Sequence, residues 1–178
     1  TTTTTTTTTT TVPLCSKRVG TATSAVYPCR CGSATCQGFE VCVDAQSRCA
    51  AALISFTLNV KNLDWNRLRI MSNLRDKFQD IVEKSVLLAA GNGIVADQVK
   101  LTYKANGRAV EVRCTVKPPT TIDAGAVVAS LRAAPALSDG SEPWSALKEL
   151  SAIAAVSVGA TSVSMAAPVI RPLAATPR

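Results

Sequence analysis

Histidine is absent from this chain of 178 residues, and aromatic residues make up only 4% of it. Without histidine there is no imidazole base, so neither a Ser-His nor a Cys-His nucleophile can be assembled. The carboxylates are scattered along the sequence and do not form the close pair that glycosidases use. No glycine-rich phosphate loop occurs either, since Gly91-Asn92-Gly93 is better explained as the end of a helix. We therefore expect no enzymatic activity, no catalytic residues and no cofactor.

The chain also lacks an Asn-x-Ser/Thr sequon, so any attached sugar must be O-linked. It begins with eleven consecutive threonines, which are Thr1, Thr2, Thr3, Thr4, Thr5, Thr6, Thr7, Thr8, Thr9, Thr10 and Thr11. Such a run cannot bury enough apolar surface to fold, and its expected use is as a scaffold for O-linked glycans. A floppy linker and an extended strand that pairs with a partner surface are the alternatives. Residues 1–14 are therefore predicted to form an O-glycosylated linker.

Six of the seven cysteines lie within 35 residues, at Cys15, Cys29, Cys31, Cys36, Cys42 and Cys49. This density is typical of a disulfide framework in an oxidising compartment, and the connectivity is one of fifteen possibilities. A zinc site is the alternative, but it is disfavoured because the segment has no CxxC pair and the chain has no histidine. We predict a disulfide-rich module at 15–49, no metal, and an extracellular location. Neither an initiator methionine nor a signal peptide is present, which we interpret as a mature or internal fragment.

The segment 50–167 is predicted to be the main domain, and its first half has clear periodicity. Apolar residues alternate with polar ones from Ile54 to Val60, which indicates a strand covered on one face. Asp64 is a candidate helix cap, and apolar residues then recur at helical spacing until Gly91. A second strand spans about 99–103, and Asn106-Gly107 predicts a tight hairpin into a third strand at 110–116.

The second half of that segment is predicted to supply a helical region and a last strand. Thr121 is the candidate cap, and the helical pattern is interrupted near Pro135 and Gly140 before it resumes after Ser141. The last strand is placed at about 160–167. The order of strand, helix, strand, strand, helix, strand is the split βαβ arrangement. We therefore predict an α+β domain in which a four-stranded antiparallel sheet carries two helices on one face.

Residues 168–178 contain three prolines and two arginines, and they are predicted to be a solvated, partly polyproline-like tail. The uncharged stretch from Leu150 to Ile170 is long enough to cross a bilayer. Serine, threonine, glycine and proline dilute this stretch, and its second half alternates like a strand. We therefore expect no membrane span.

The order of elements, behind a threonine tract and a small cysteine module, resembles the SEA-type, ferredoxin-like domains of mucin-like surface proteins. The segment Cys29–Cys49 is similar to cysteine repeats in secreted coat proteins of single-celled eukaryotes. Self-cleaving SEA domains carry a Gly-Ser pair in the hairpin between the second and third strands. Here Gly107 is followed by Arg108, so the resemblance implies a chain that stays intact.

A formal net charge of +7 favours acidic partners, and anionic polysaccharide is one candidate. Nucleic acid is disfavoured, although the split βαβ order also describes the RRM. RRM domains carry aromatic side chains on the third strand, and 108–114 contains none. Cys114, the seventh cysteine, alternates with valines and is predicted to be a free buried thiol. An intermolecular bridge is the alternative for Cys114.

Two hypotheses of function follow. The first is a structural subunit of an extracellular, O-glycosylated fibre or cell coat that self-assembles through extended terminal segments. Its docking elements would be the threonine tract or the tail from Pro168, added to a sheet edge at 160–167 or 99–105. The second is a monomeric adhesive or glycan-binding module on a mucin-like stalk. Its site would need aromatic support, for which the candidates are Trp65, Trp144, Tyr27 and Tyr103, although both tryptophans are better explained as covering the ends of the core.

Overall fold

The computed structural model describes residues 11–91, 93–134 and 157–174. The protein is a mixed α+β chain with antiparallel sheets and a disulfide-rich N-terminal part. Its elements, in chain order, are strands β1 (Cys29–Cys31), β2 (Ala34–Cys36), β3 (Val41–Val43), β4 (Arg48–Ala50) and β5 (Ala52–Leu63), helices α1 (Trp65–Ile70) and α2 (Ser72–Ala90), strands β6 (Val99–Asn106) and β7 (Ala109–Val116), helix α3 (Ala124–Ala133), and strands β8 (Ser157–Met165) and β9 (Val169–Pro172).

The main sheet is organised around the long strand β5. Its order is β6-β7-β5-β8, every pair is antiparallel, and β9 also pairs with β5. Alternate residues of β5 and β7 are buried on one face, as the sequence pattern predicts. Helix α2 contributes Phe78, Val82 and Val86 to the same hydrophobic core, and α3 contributes Leu131. The helices therefore cover one face of the sheet.

The first helical region begins and ends where the sequence predicts, but it is divided. Asp64 caps α1 by accepting hydrogen bonds from the backbone N–H groups of Asn66 and Arg67. Met71 then leaves the helical conformation with ψ of 82°, and a new helix begins at Ser72. The break was not predicted, because the sequence around Met71 contains neither glycine nor proline. The second helix ends at Gly91, whose φ is 91°.

The predicted hairpin is present, but its turn lies one residue later than expected. Asn106 pairs with Ala109, so the two loop residues are Gly107 and Arg108. Gly107 has a φ of 60° and Arg108 does not have a positive φ, which is the pattern of a type II′ turn with glycine in its first central position. Asn106 is therefore the last residue of a strand and not a turn residue.

The predicted cap of the second helical region was wrong by two residues. Asp123, not Thr121, is the N-cap of α3, and its carboxylate accepts a hydrogen bond of 2.9 Å from the backbone N–H of Gly125. Both residue types are good caps, and the apolar pattern alone did not distinguish them. The continuation predicted after Ser141, with Trp144, lies outside the described residues.

The expectation of a solvated tail at 168–178 was wrong for residues 169–172, and residues 175–178 lie outside the described residues. Residues 169–172 form β9, which pairs with the first residues of β5, and Ile170 lies opposite Ile54. The segment can do this despite its prolines because β9 pairs only with β5 in the described part of the chain, and an edge strand tolerates proline. Strands β8 and β9 therefore share one side of β5. In the described parts of the chain, no helix is both long enough and apolar enough to cross a membrane.

Candidate functional site

The disulfide-rich module has a definite connectivity. Its bridges join Cys15 to Cys29, Cys31 to Cys42 and Cys36 to Cys49, with Cα–Cα distances of 4.9, 5.5 and 5.3 Å. Five of these cysteines are fully buried together and form a small core of their own. Three groups of cysteine and acidic side chains lie close enough to suggest metal ligation, but every cysteine in them belongs to a disulfide. Disulfide sulfurs are not the thiolates that zinc requires.

The chain enters this module through a short clamp. The backbone carbonyl of Pro13 accepts a hydrogen bond of 2.7 Å from the N–H of Arg30, and the N–H of Cys15 donates one of 3.0 Å to the carbonyl of Arg30. The Cys15–Cys29 disulfide fixes the same position covalently. The threonine run therefore joins a firmly held segment. Of that run only Thr11 is described, and it is exposed; the predicted glycosylation positions Thr1–Thr10 lie outside the described residues.

The module is packed against the main domain. The hydroxyl of Thr23 donates a hydrogen bond of 2.7 Å to the carboxylate of Asp123 at the start of α3. The N–H of Phe39 donates one of 3.0 Å to the carbonyl of Thr120. Val41 of the module belongs to the hydrophobic core of the sheet domain, together with Ala50, the residue that follows the module. The two parts therefore form one packed unit joined by specific contacts.

The face of the main sheet opposite the helices is uncovered in the described part of the chain and carries a positively charged surface. Along each strand the exposed cations alternate with residues that face the helices, and the strand register places all of them on the same face of the sheet. They are Lys61, Lys100, Lys104, Arg113 and Arg171. Glu111 is the one carboxylate on the described part of this face, and it is bound to Arg113, with 2.7 Å between Nε and Oε1. We call this surface the open face.

A shallow groove of about 280 Å³ crosses the open face. Its lining is apolar in larger part, with Ala166, Ala167 and Val169. The polar groups that line it are the hydroxyls of Ser55, Thr57 and Thr115 and the guanidinium groups of Arg113 and Arg171. Arg171 has no ion-pair partner among the described residues. The sequence analysis missed this groove because Arg171 was placed in a solvated tail. The alternation of the third strand was the available signal, since it places Arg113 opposite the buried valines.

Of the four aromatic residues named as supports for a glycan site, Trp65, Tyr103 and Tyr27 pack against other rings, and Trp144 lies outside the described residues. Trp65 stacks on Tyr103 with ring centres 5.3 Å apart, and both contact Phe78. Burial raises the pKa of Tyr103 above its usual value. Tyr27 packs edge-on against Phe39, and burial raises the pKa of its hydroxyl as well. The rings of Trp65, Tyr103 and Tyr27 do not lie on the open face.

Cys114 is a free, buried thiol on the helix-covered face of β7. Burial raises its pKa from 9.0 to about 12. Such a thiol is protonated and unreactive at neutral pH. It therefore behaves as a small apolar residue of the core.

Both predicted docking edges are open in the described part of the chain. Strand β6 pairs only with β7 and strand β8 pairs only with β5, so each has one side without a partner strand there. On the opposite side of the sheet, the tail that was expected to reach a neighbour is used within the same chain as β9.

Comparison with family models, with curated proteins and with solved structures finds no match to this chain.

Proposed function

We propose that this protein is a structural subunit of an extracellular, O-glycosylated fibre or cell coat, in which compact blocks are connected through threonine-rich segments. The observation that carries the proposal is the clamp at Pro13 to Cys15, where backbone hydrogen bonds and a disulfide attach the threonine run to the module. Tension on the run would pass into a disulfide-bonded unit that is itself packed on the sheet. Such a design suits mechanical connection in an oxidising environment.

Self-association is part of this proposal. The open edge of β6 offers unpaired backbone groups to an extended segment of a second copy. The threonine run is the candidate segment, because β-branched residues favour extended conformations. The C-terminal tail is no longer a candidate over residues 169–172, which already pair with β5.

The proposal also includes the split βαβ, ferredoxin-like arrangement for the main domain. Its support is the strand order β6-β7-β5-β8 in the sheet. Along the chain, α1 and α2 lie between β5 and β6, and α3 lies between β7 and β8. The likeness to SEA domains belongs to the proposal in the same way.

The test is to express the full chain through a eukaryotic secretory pathway and to examine the product by negative-stain electron microscopy and glycopeptide mass spectrometry. We expect filaments or large oligomers and hexose- or hexosamine-bearing peptides from the threonine run. A matched chain in which Thr1–Thr11 are replaced by a Gly-Ser repeat of equal length should stay monomeric. Unmodified threonines together with a monodisperse monomer would refute the proposal.

A second candidate is a monomeric adhesive or glycan-binding module on a mucin-like stalk. The open face favours it, because a cationic groove with hydroxyl groups is suited to binding acidic saccharides. Size in solution separates the two candidates, since the second requires a monomer.

A further inference from the structure

We propose that the open face is a binding surface for an extended acidic polysaccharide that is separate from this chain, recognised through its sulfate or carboxylate groups. This inference goes beyond the structural role proposed first, deepens the glycan-binding candidate by naming its ligand class, and does not depend on filament formation. It rests on three properties of the open face, which are its charge, the spacing of its cations and its lack of aromatic rings.

The charge of the open face is strongly one-sided. Five exposed cations stand against one carboxylate, and that carboxylate is already bound to Arg113. Three cations on the helices, Arg67, Arg75 and Lys84, form ion pairs with aspartates, which offsets part of the positive charge on that side of the protein. The open face has fewer acids for its cations and therefore presents an attractive field to a polyanion.

The spacing of the cations selects a long ligand. Arg113 lies opposite Thr57 and Arg171 lies opposite Leu53, so two strand spacings and four residues of β5 separate them. Standard strand geometry makes their Cα–Cα distance about 16 Å. A single phosphate or sulfate ion cannot contact both guanidinium groups across such a distance without drawing the side chains together. A polymer with regularly placed anionic groups can contact them in succession along the groove.

The lack of aromatic rings separates polysaccharide from nucleic acid. Single-stranded nucleic acids bind by stacking their bases on aromatic side chains. Tyr103 and Trp65 are packed on the other side of the sheet, and Phe56, which adjoins the groove, is buried on the helix-covered face of β5. The described residues whose side chains alternate onto the open face include no aromatic residue. Arg113 and Arg171 offer planar forks that bind carboxylate or sulfate groups, and Ser55, Thr57 and Thr115 add hydroxyl groups for the sugars.

The test is the binding of the full chain to immobilised heparin, measured by surface plasmon resonance at low and physiological salt, with neutral dextran and single-stranded poly(dT) as comparison probes. We expect salt-dependent binding to heparin, none to dextran, and weaker binding to poly(dT). The double variant Arg113→Gln/Arg171→Gln should bind heparin about tenfold more weakly. The matched control Arg69→Gln/Lys77→Gln removes the same charge from the exposed helix surface and should change the affinity less than about twofold.

A second open-face variant is needed because replacing Arg113 also removes the ion-pair partner of Glu111. Lys100→Gln/Lys104→Gln removes two charges from the same face without breaking the ion pair between Glu111 and Arg113, and it should also weaken binding more than the helix control does. Equal losses in the open-face and helix variants would show that only the net charge matters and would overturn the proposal. Binding to poly(dT) as tight as to heparin, or no binding to heparin at low salt, would overturn it too. The heparin assay does not require filaments. Loss of heparin binding would therefore overturn this proposal without contradicting the formation of filaments.

Discussion

The hydroxyl of Thr23 donates a 2.7 Å hydrogen bond to the carboxylate of Asp123, one hundred residues further along the chain. The same carboxylate caps helix α3 by accepting from the N–H of Gly125. One side chain thus connects a loop of the disulfide module to the start of a helix in the sheet domain. The two parts should therefore unfold together and not independently.

This coupling can be measured with a double-mutant cycle of Thr23→Val and Asp123→Ala. A partly buried hydrogen bond to a carboxylate should give a coupling of about 1–2 kcal/mol in the free energy of unfolding. Urea unfolding monitored by circular dichroism supplies the four stabilities. The control Thr102→Val, on an exposed position of β6, should change stability by less than about 0.5 kcal/mol. Strict additivity of the two single variants would contradict the proposed link.

Two glycines with similar backbone angles should respond differently to alanine. Gly107 has a φ of 60° and open space around it, so Gly107→Ala should cost about 1 kcal/mol through backbone strain alone. Gly38 has a φ of 51°, and an added Cβ would lie 2.4 Å from the carbonyl oxygen of Thr120. Gly38→Ala should therefore cost at least about 2 kcal/mol, because the module must shift away from the sheet domain. Thermal unfolding of the two variants makes the comparison, and equal melting temperatures would count against the close contact.

The pairing of β9 with β5 predicts different effects on stability for substitutions at two adjacent residues. Ile170 packs against the main core, whereas Val169 is 44% exposed on the other face of the strand. Ile170→Ala should destabilise the protein by about 1–2 kcal/mol, while Val169→Ala should cost less than about 0.5 kcal/mol. Chemical denaturation of both variants gives the two values. Similar small effects would be expected of a solvated tail and would argue against the pairing with β5.

The buried thiol of Cys114 predicts a pH-dependent stability. Its pKa is raised from 9.0 to about 12 in the folded chain, so folding favours the protonated thiol. The full contribution is present below pH 9, and it is lost as pH rises towards 12 because the unfolded chain deprotonates first. The stability difference between the wild type and Cys114→Ala should therefore shrink from pH 8 to pH 10. A difference that does not change with pH over this range would contradict the burial of the thiol.

The same thiol can be probed directly with a thiol reagent at pH 8. The native protein should not react. The protein unfolded in urea with its disulfides intact should react with one equivalent of reagent per chain, at Cys114. Electrophoresis without reductant should show no dimer linked through Cys114. Rapid reaction of the native chain would contradict the protonated, inaccessible state.

The parts of the fold that were predicted from sequence are those in which the pattern is local. Alternation from Ile54 to Val60 and from Val110 to Val116 gave the two central strands, and Asp64 and Gly91 marked the limits of the first helical region. Each of these signals lies within a few residues of the element that it defines. Short-range periodicity and capping chemistry were sufficient there.

The features that were missed depend on contacts between distant residues. Nothing near residues 169–172 indicates that β5 has a free side long enough for both β8 and β9. The choice of Asp123 over Thr121 as a cap accompanies a hydrogen bond from Thr23, and the disulfide pairing depends on how β1 to β4 pack. The groove of the open face combines Arg113 with Arg171, which the sequence separates by 58 positions. Such juxtapositions have no signature in a single sequence.

The first and last described segments both rest on the disulfide module. Pro13 and Cys15 are held by Arg30, while the carbonyl of Leu173 accepts a hydrogen bond from Arg48, and Pro172 lies beside Gly20. If successive blocks were pulled along their backbone, the force would run through the sulfur bridges and the short seam between β5 and β9. Helices α1, α2 and α3 would lie beside this path and would carry little of the load. The open face would share that load, because Arg171 lies on β9, and tension should therefore act on the surface proposed to bind a ligand.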